Sequence, residues 1–265
     1  MTGTRSVVVT GAGAGLGAAI ARSAHEAGWT VGVLDRDGSA VEQLADELGE
    51  RAVALAADTT DEAEVERALD RFADATGTPA PHGLVANAGI VRFSPLADVA
   101  IDDWRSVVEV NLTGTFIAAR AAARRMLAAG TGGSLVALTS MNGVVPGPGA
   151  GAYGATKAGI ALLVQQMAVE WGPSGIRANA VAPGLVDGGM STPIYADADV
   201  RRRRESRVPL GRLGTPHDVA GAVLFLLSDD AAYVSGTERL VDGAVTPSLI
   251  ATLPRPSAVD GEAGG

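Results

Sequence analysis

The sequence predicts an α/β protein, a three-layer doubly wound fold whose parallel sheet has about seven strands. Three observations predict it. Short, nearly continuous apolar runs alternate with amphipathic segments, the pattern of strands covered by helices on both faces. A glycine-rich stretch, TGAGAGLG at 10–17, stands directly between the first apolar run and the first amphipathic one. No linker or internal repeat interrupts residues 1–265, so a single domain is expected.

The elements follow in order. SVVVT (6–10) reads as a strand, and LGAAIARSAHEAG (16–28) as a helix stopped by Gly28. TVGVLD (30–35) and RAVALAAD (51–58) are the next strands, separated by the helix SAVEQLADELG (39–49). DEAEVERALDRFADATG (61–77) is a helix with acids in its first turn, where the macrodipole favours them. GLVANAG (83–89) and SLVALTS (134–140) read as strands on either side of a long helix, 102–129. A helix over 153–171, the strand IRANAVA (176–182), a helix from Pro216 to about Ser228 and the strand ERLVD (238–242) complete the alternation. Residues 184–214 break it: glycines, prolines and a run of arginines suggest a mobile segment over a site. The tail, 244–265, ends in PRPSAVDGEAGG, a weakly structured composition.

Composition narrows the function. Aspartate and glutamate number 30 against 21 lysines and arginines, a formal net charge of −9. Such a chain has no general attraction to nucleic acid or to an anionic membrane. Without cysteine there is no disulfide framework, Cys-based zinc site or thiol nucleophile. The N-terminus enters a strand with no long apolar segment, so a soluble cytoplasmic protein is expected. His25, His82 and His217 are scattered, with no acid cluster nearby, and no metal site is expected.

The glycine-rich turn carries the first chemistry. Gly11, Gly13, Gly15 and Gly17, with Ala14 and Leu16 between them, would let the backbone turn tightly against a ligand. The helix N-terminus that follows offers free N–H groups and positive dipole charge to a pyrophosphate. Close strand–helix packing is the alternative reading. No Lys-Ser or Lys-Thr pair follows, which excludes a triphosphate P-loop. Asp35 ends the second strand, 18 residues after Gly17, where a carboxylate accepts from the hydroxyls of an adenosine ribose. A 2′-phosphate would be repelled there, so NAD is expected and NADP disfavoured. Arg36, the next residue, offsets part of that penalty.

Tyr153 and Lys157 share a helix face at i and i+4. A nearby ammonium stabilises phenolate, so the lysine is expected to lower the tyrosine pKa. The tyrosine would then exchange a proton with a substrate oxygen.

The glycine turn, ANAG (86–89), Asn111, LTS ending at Ser140, YGATK (153–157) and APG (182–184) occur in this order. The set resembles the short-chain dehydrogenase/reductase family, in its compact single-domain branch, over about residues 6–243. The resemblance implies a Rossmann-type dinucleotide-binding oxidoreductase. It implies that Ser140 hydrogen-bonds the substrate oxygen and that Tyr153 is the general acid/base. Lys157 would bind the nicotinamide ribose and lower the tyrosine pKa, and Asn111, in a locally distorted helix, would hold a relay water. Asp58 and Thr59 would contact adenine. Asn87, Ala88 and Gly89 would pack beside the cofactor, and Pro183, Gly184 and Val186 would face the nicotinamide. A homotetramer is also implied, built on the helices near 102–129 and 153–171 and on the last helix and strand. The apolar stretch SLIATLP (248–254) is expected to pack on a neighbouring subunit.

The chain departs from the family at Gly188, where a threonine commonly reaches the nicotinamide carboxamide; Ser191 or Thr192 would have to replace it. Asn142, Met190 and Tyr195 are candidates to line a substrate pocket with Ser140 and Tyr153. Arg201–Arg204, with Arg207 and Arg212, form either a solvated face or a contact for an anionic substrate or carrier.

The expected function is interconversion of a secondary alcohol and a ketone with NAD. The alternatives are a 3-oxoacyl thioester reductase using NADPH, and a catalytically silent NAD-sensing regulator. Asp35 and Ala14 oppose the first, and retention of Asn111, Ser140, Tyr153 and Lys157 opposes the second. A methyltransferase would share the glycine turn but has no use for Ser140, Tyr153 and Lys157.

Overall fold

Unbroken apolar runs place their side chains on both faces of a sheet. In a computed structural model describing residues 5–248, Val7 and Val9 enter one core and Val8 the other, all fully buried. They belong to β1 (Ser6–Thr10). With β2 (Thr30–Asp35), β3 (Ala52–Ala56), β4 (Gly83–Ala86), β5 (Gly133–Leu138), β6 (Ile176–Pro183) and β7 (Glu238–Val241) it forms a seven-stranded sheet. The order is β3-β2-β1-β4-β5-β6-β7, and every pairing is parallel. The strand order reverses between β1 and β4, which opens a crevice beyond their carboxyl ends.

Helices cover both faces. α1 (Gly15–Glu26) and α2 (Gly38–Leu48) lie on one face; α3 (Glu62–Thr76) lies on the other. α4 (Ile101–Val108), α5 (Gly114–Ala129), the short α6 (Met141–Val144) and α7 (Tyr153–Trp171) follow. α8 (Thr192–Tyr195) and α9 (Ala198–Glu205) precede α10 (Pro216–Leu227), which joins the α1 face. Ile20, Val41, Leu44 and Val223 fill one core; Leu69, Phe72, Met126 and Ile160 fill the other. Burying one such side chain contributes about 1.5–3 kcal/mol. Local signals agree with these ends. Asp37 and Asp61 cap α2 and α3, Thr215 and Asp218 form a capping box on α10, and Gly77 and Gly130 close α3 and α5 in left-handed geometry.

Four expectations change in detail. The predicted helix over 102–129 is interrupted by a π-helical turn, Glu109–Thr113. Asn111 is fully buried there, and its side chain bonds the Ile90 backbone. The strand predicted over 83–89 stops at Ala86, because Asn87 turns the chain by donating from Nδ2 to the Thr10 and Gly11 carbonyls, 3.0 Å each. The strand predicted over 51–58 shortens to Ala52–Ala56. Segment 184–214 carries α8, α9 and a 3₁₀ turn, Gly189–Ser191. No described helix is long and apolar enough to cross a membrane. Of the stretch expected to reach a neighbouring subunit, only Ser248 falls among the described residues.

Candidate active site

The crevice holds a cavity of about 790 Å³, within the range usual for small-molecule and cofactor sites. Its floor is the glycine turn. Gly11, Ala14, Gly15 and Leu16 line it. No side chain caps the first turn of α1, so its free N–H groups remain to bind an anion. Gly13 and Gly17 stand behind this lining. Gly13 N–H donates to Asp35 Oδ2 at 3.1 Å. A Cβ on Gly17 would lie 2.1 Å from the Gly11 oxygen, a distance only glycine allows.

At one end are Asp35, Arg36, Asp58 and Thr59. Asp35 Oδ1 accepts from Asp37 N–H at 3.1 Å, so each carboxylate oxygen has one backbone donor and a lone pair to spare. Asp58 Oδ1 is taken by Thr60, at 2.9 Å from its N–H and 2.7 Å from its hydroxyl. These groups suit the adenosine half of a dinucleotide, and the open N–H groups of α1 suit its pyrophosphate.

The catalytic candidates meet at the other end. Ser140 caps α6, accepting from Asn142 N–H at 3.1 Å, which leaves its own proton to donate. Tyr153 is the first residue of α7. Lys157 is buried, its Nζ 5.5 Å from the Tyr153 ring centroid, and it donates to the Leu138 carbonyl at 2.7 Å. A Cβ on Gly89 would lie 3.2 Å from Asn111 Oδ1 and 3.6 Å from Lys157 Nζ, so the three groups converge. Asn111 lies behind the lining. Its Oδ1 accepts from Ile90 N–H at 2.7 Å, and its Nδ2 donates to the Ile90 carbonyl at 2.9 Å and to Thr156 Oγ1 at 3.2 Å. Thr156 in turn donates to the Tyr153 carbonyl at 2.7 Å.

Burial governs the titration of this pair. It pushes the Tyr153 phenol above its ordinary value, with the Ser140 hydroxyl pulling it back. It brings the Lys157 ammonium down to about 8. The tyrosine direction is opposite to the one expected from the lysine alone, because desolvation penalises phenolate more than its neighbours favour it.

Pro183, Gly184 and Val186 line the facing wall, and Val186 is bridged to Gly214. Asn87, Ala88, Gly89, Asn142, Met190 and Tyr195 also line the cavity. Gly188 explains the missing threonine. A Cβ there would lie 2.7 Å from Pro216 Cγ, while Gly189 comes so near the floor that a Cβ on Gly15 would meet its Cα at 2.9 Å. Ser191 lines the cavity and Thr192 starts α8 instead.

Sequence reasoning missed Thr10, Thr156, Phe93, Ile194 and the separate role of Arg204. Thr10 is buried, and its hydroxyl accepts from the Asn87 and Ala88 N–H groups at 3.0 and 3.1 Å, tying β1 to the turn after β4. A polar residue directly after three buried valines, at the start of the glycine turn, was its one available signal.

Comparison with known proteins agrees with this geometry. A family model described as enoyl-(acyl carrier protein) reductase matches residues 11–246. The cis-4-hydroxycyclohexanecarboxylate dehydrogenase of Sinomonas cyclohexanicum is 42% identical over 247 residues, covering 91% of this chain and 96% of the relative. The inactive 2-(S)-hydroxypropyl-CoM dehydrogenase 2 of Xanthobacter autotrophicus is 40% identical over 231 residues, 86% of this chain and 99% of the relative. A crystal structure of a gluconate 5-dehydrogenase from Burkholderia cenocepacia, in complex with NADP and tartrate, superposes with a TM-score of 0.87 at 33% identity, covering 94% of this chain and 97% of that one. With a family match across nearly its full length, a doubly wound parallel sheet and a serine, tyrosine and lysine gathered at its crevice, the chain belongs to the short-chain dehydrogenase/reductase family.

Proposed function

We propose that this single-domain chain is an NAD(H)-dependent oxidoreductase interconverting a secondary alcohol and a ketone. The observation that carries the reading is one cavity lined by the glycine turn and Asp35 at one end and by Ser140, Tyr153 and Lys157 at the other. A bound nicotinamide supplies the hydride acceptor or donor. Ser140, its oxygen already bonded to Asn142 N–H, donates to the substrate oxygen and fixes its position. Tyr153 gives a proton to that oxygen in ketone reduction and takes it in alcohol oxidation. Its raised value makes it a proton donor at neutral pH, so oxidation gains as pH rises. Lys157 uses one N–H on Leu138 and keeps two for ribose hydroxyls. Asn111, through Thr156, fixes the start of α7 and with it the phenol; the relay water proposed for it would sit near the point where Gly89, Asn111 and Lys157 converge.

Asp35 supports NAD, since its free lone pairs suit two ribose hydroxyls and its charge opposes a 2′-phosphate. Arg36 is exposed beside it and softens that preference. Asp35 and the uncharged Ala14 also disfavour the alternative of a 3-oxoacyl thioester reductase using NADPH; the family model's description names a different reaction, on an enoyl group. The inactive relative favours a second reading, a silent NAD-sensing regulator. The intact Ser140, Tyr153, Lys157 and Asn111 set weighs against it. Exposed Phe116 and Leu127 on α5 and Leu162 and Val169 on α7 suit a cytoplasmic homotetramer packed through these helices.

The test is a turnover screen of cyclic, aliphatic and polyol alcohols with each cofactor. Higher kcat/KM with NAD is expected. Equal or better use of NADP would overturn the cofactor reading, and tight NAD binding without any turnover would select the regulator.

A further inference from the structure

The cavity carries a charged group that the proposed chemistry does not use, and it comes from the arginine run. Half of that run is tied to carboxylates. Arg201 bonds Asp187 at 2.6 Å and Glu205 at 3.2 Å, and Arg202 pairs with Asp199. Arg212 grips Asp218 with both terminal nitrogens, at 2.7 and 2.8 Å. Arg203 and Arg207 face solvent. Arg204, in the last turn of α9, lines the cavity. Among the described residues no carboxylate pairs with it. Its guanidinium lies over the Tyr195 ring, 5.6 Å from the centroid, and that ring is itself buried. Stacking holds the guanidinium to the wall while its in-plane N–H donors remain available.

Charge around the cavity is sorted by position. Asp35, Arg36 and Asp58 stand at the adenosine end. Towards the substrate end the lining has two charged side chains, Lys157 and Arg204, and no acid. Lys157 is committed to the Leu138 carbonyl and the proposed ribose. Arg204 is left as the free cation beside Met190, Ile194 and Tyr195.

We propose that Arg204 anchors a carboxylate on the substrate, so that the preferred alcohols are hydroxy acids and the preferred ketones oxo acids. This rests on the oxidoreductase reading above. One guanidinium with no second free cation matches one negative charge and would leave a phosphate dianion half compensated. Its planar fork fits both oxygens of a carboxylate. The apolar wall strengthens the pair by excluding water. With a net charge of −9 the molecule repels anions at long range, so an anionic substrate needs a local cation to hold it.

The test uses matched substrate pairs on the parent, Arg204→Gln and Arg204→Lys. Each pair is a hydroxy acid and its primary amide, drawn from hydroxybutyrates, hydroxyhexanoates and hydroxycyclohexanecarboxylates; the corresponding phosphate monoesters form a third arm. The parent is expected to favour acid over amide and over phosphate in kcat/KM. In Arg204→Gln that acid preference should fall by about 10- to 100-fold, with part of it kept by lysine. Calorimetric titration of cyclohexanecarboxylate into the NADH-loaded protein reads the same site without turnover and should weaken by a similar factor. Equal use of acid and amide by the parent, an acid preference that survives in Arg204→Gln, or a phosphate preferred to the acid would overturn the proposal. A protein that turns over nothing yet binds cyclohexanecarboxylate through Arg204 would instead overturn the oxidoreductase reading and leave the anion site standing.

Discussion

On the glycine-turn side of the cavity the groups offered to a ligand are backbone ones, locked by buried side-chain bonds; on the 184–214 side they are side chains carried on short helices. The floor is held by the Asn87 bonds to Thr10 and Gly11, the Thr10 hydroxyl on the next turn, and a Gly17 site that rejects any Cβ. It rests on fully buried strands. The facing wall offers half-exposed Met190 and a four-residue helix, α8, capped by no side chain. The contrast separates two tasks. The floor must present fixed N–H groups to a constant ligand, while the wall must fit a particular substrate and is free to differ in sequence without cost to the sheet.

Tyr153 stands where the two sides meet, and its removal is expected to have the largest effect. Tyr153→Phe keeps the ring and deletes the proton carrier. Turnover should fall by at least about 10²–10⁴-fold, while NAD affinity and melting temperature stay near the parent's. Stopped-flow rates with NAD titrations separate these outcomes. Near-parent turnover by the Phe variant would place the acid/base elsewhere.

Lys157 sharpens the comparison from the catalytic end, because here function works against stability. Burial lowers its ammonium from 10.5 to about 8. Between those values the unfolded chain holds the proton and the folded chain does not, so stability rises with pH across that window. Below pH 8 the whole penalty applies, roughly 3 kcal/mol. Lys157→Met has no such penalty but leaves the Leu138 carbonyl without its donor, a cost that does not vary with pH. The stability of the variant relative to the parent should therefore fall by roughly 3 kcal/mol between pH 7 and 10.5, read by denaturant melts of the cofactor-free proteins. A relative stability that does not change with pH would mean the buried amine is not paying for desolvation. Activity should be lost at every pH, since the ribose contact and the charge beside Tyr153 go together.

What could be read in the sequence divides along the same line. The sheet, the glycine turn, Asp35 and the Tyr153–Lys157 pair were legible because each follows from a local rule: strand period, turn geometry, spacing along one helix. The π turn at Glu109–Thr113 follows from no local rule; a distortion at Asn111 was expected only through the family resemblance, and here it accompanies a tertiary bond between Asn111 and Ile90. Thr10 and Thr156 were missed for the same reason; their partners lie 77 and 45 residues away. In the arginine run, composition could not separate Arg204 from Arg201, because the distinction is which faces the cavity and which faces Asp187. The tyrosine direction failed for a further reason: a spacing shows that a charge is near but not how much water burial removes.

The smallest effect is expected on the facing wall, and it tests the contrast most directly. Met190 lines the cavity but is 51% exposed, so Met190→Ala removes little buried surface from the folded protein. Stability should stay within about 0.5 kcal/mol of the parent, as for a surface position. The side chain matters once a substrate skeleton covers it, when each methylene-sized contact is worth about 0.8 kcal/mol. Only part of the side chain can be covered, so KM for the alcohol should rise about two- to fivefold. Contacts of this kind are made equally in the ground and transition states, so kcat should change far less than KM. NAD affinity should not move, since the floor is untouched. If Met190→Ala instead lowers the melting temperature by many degrees, or weakens NAD and alcohol alike, the wall is part of the same rigid unit as the floor and the division of labour drawn here fails.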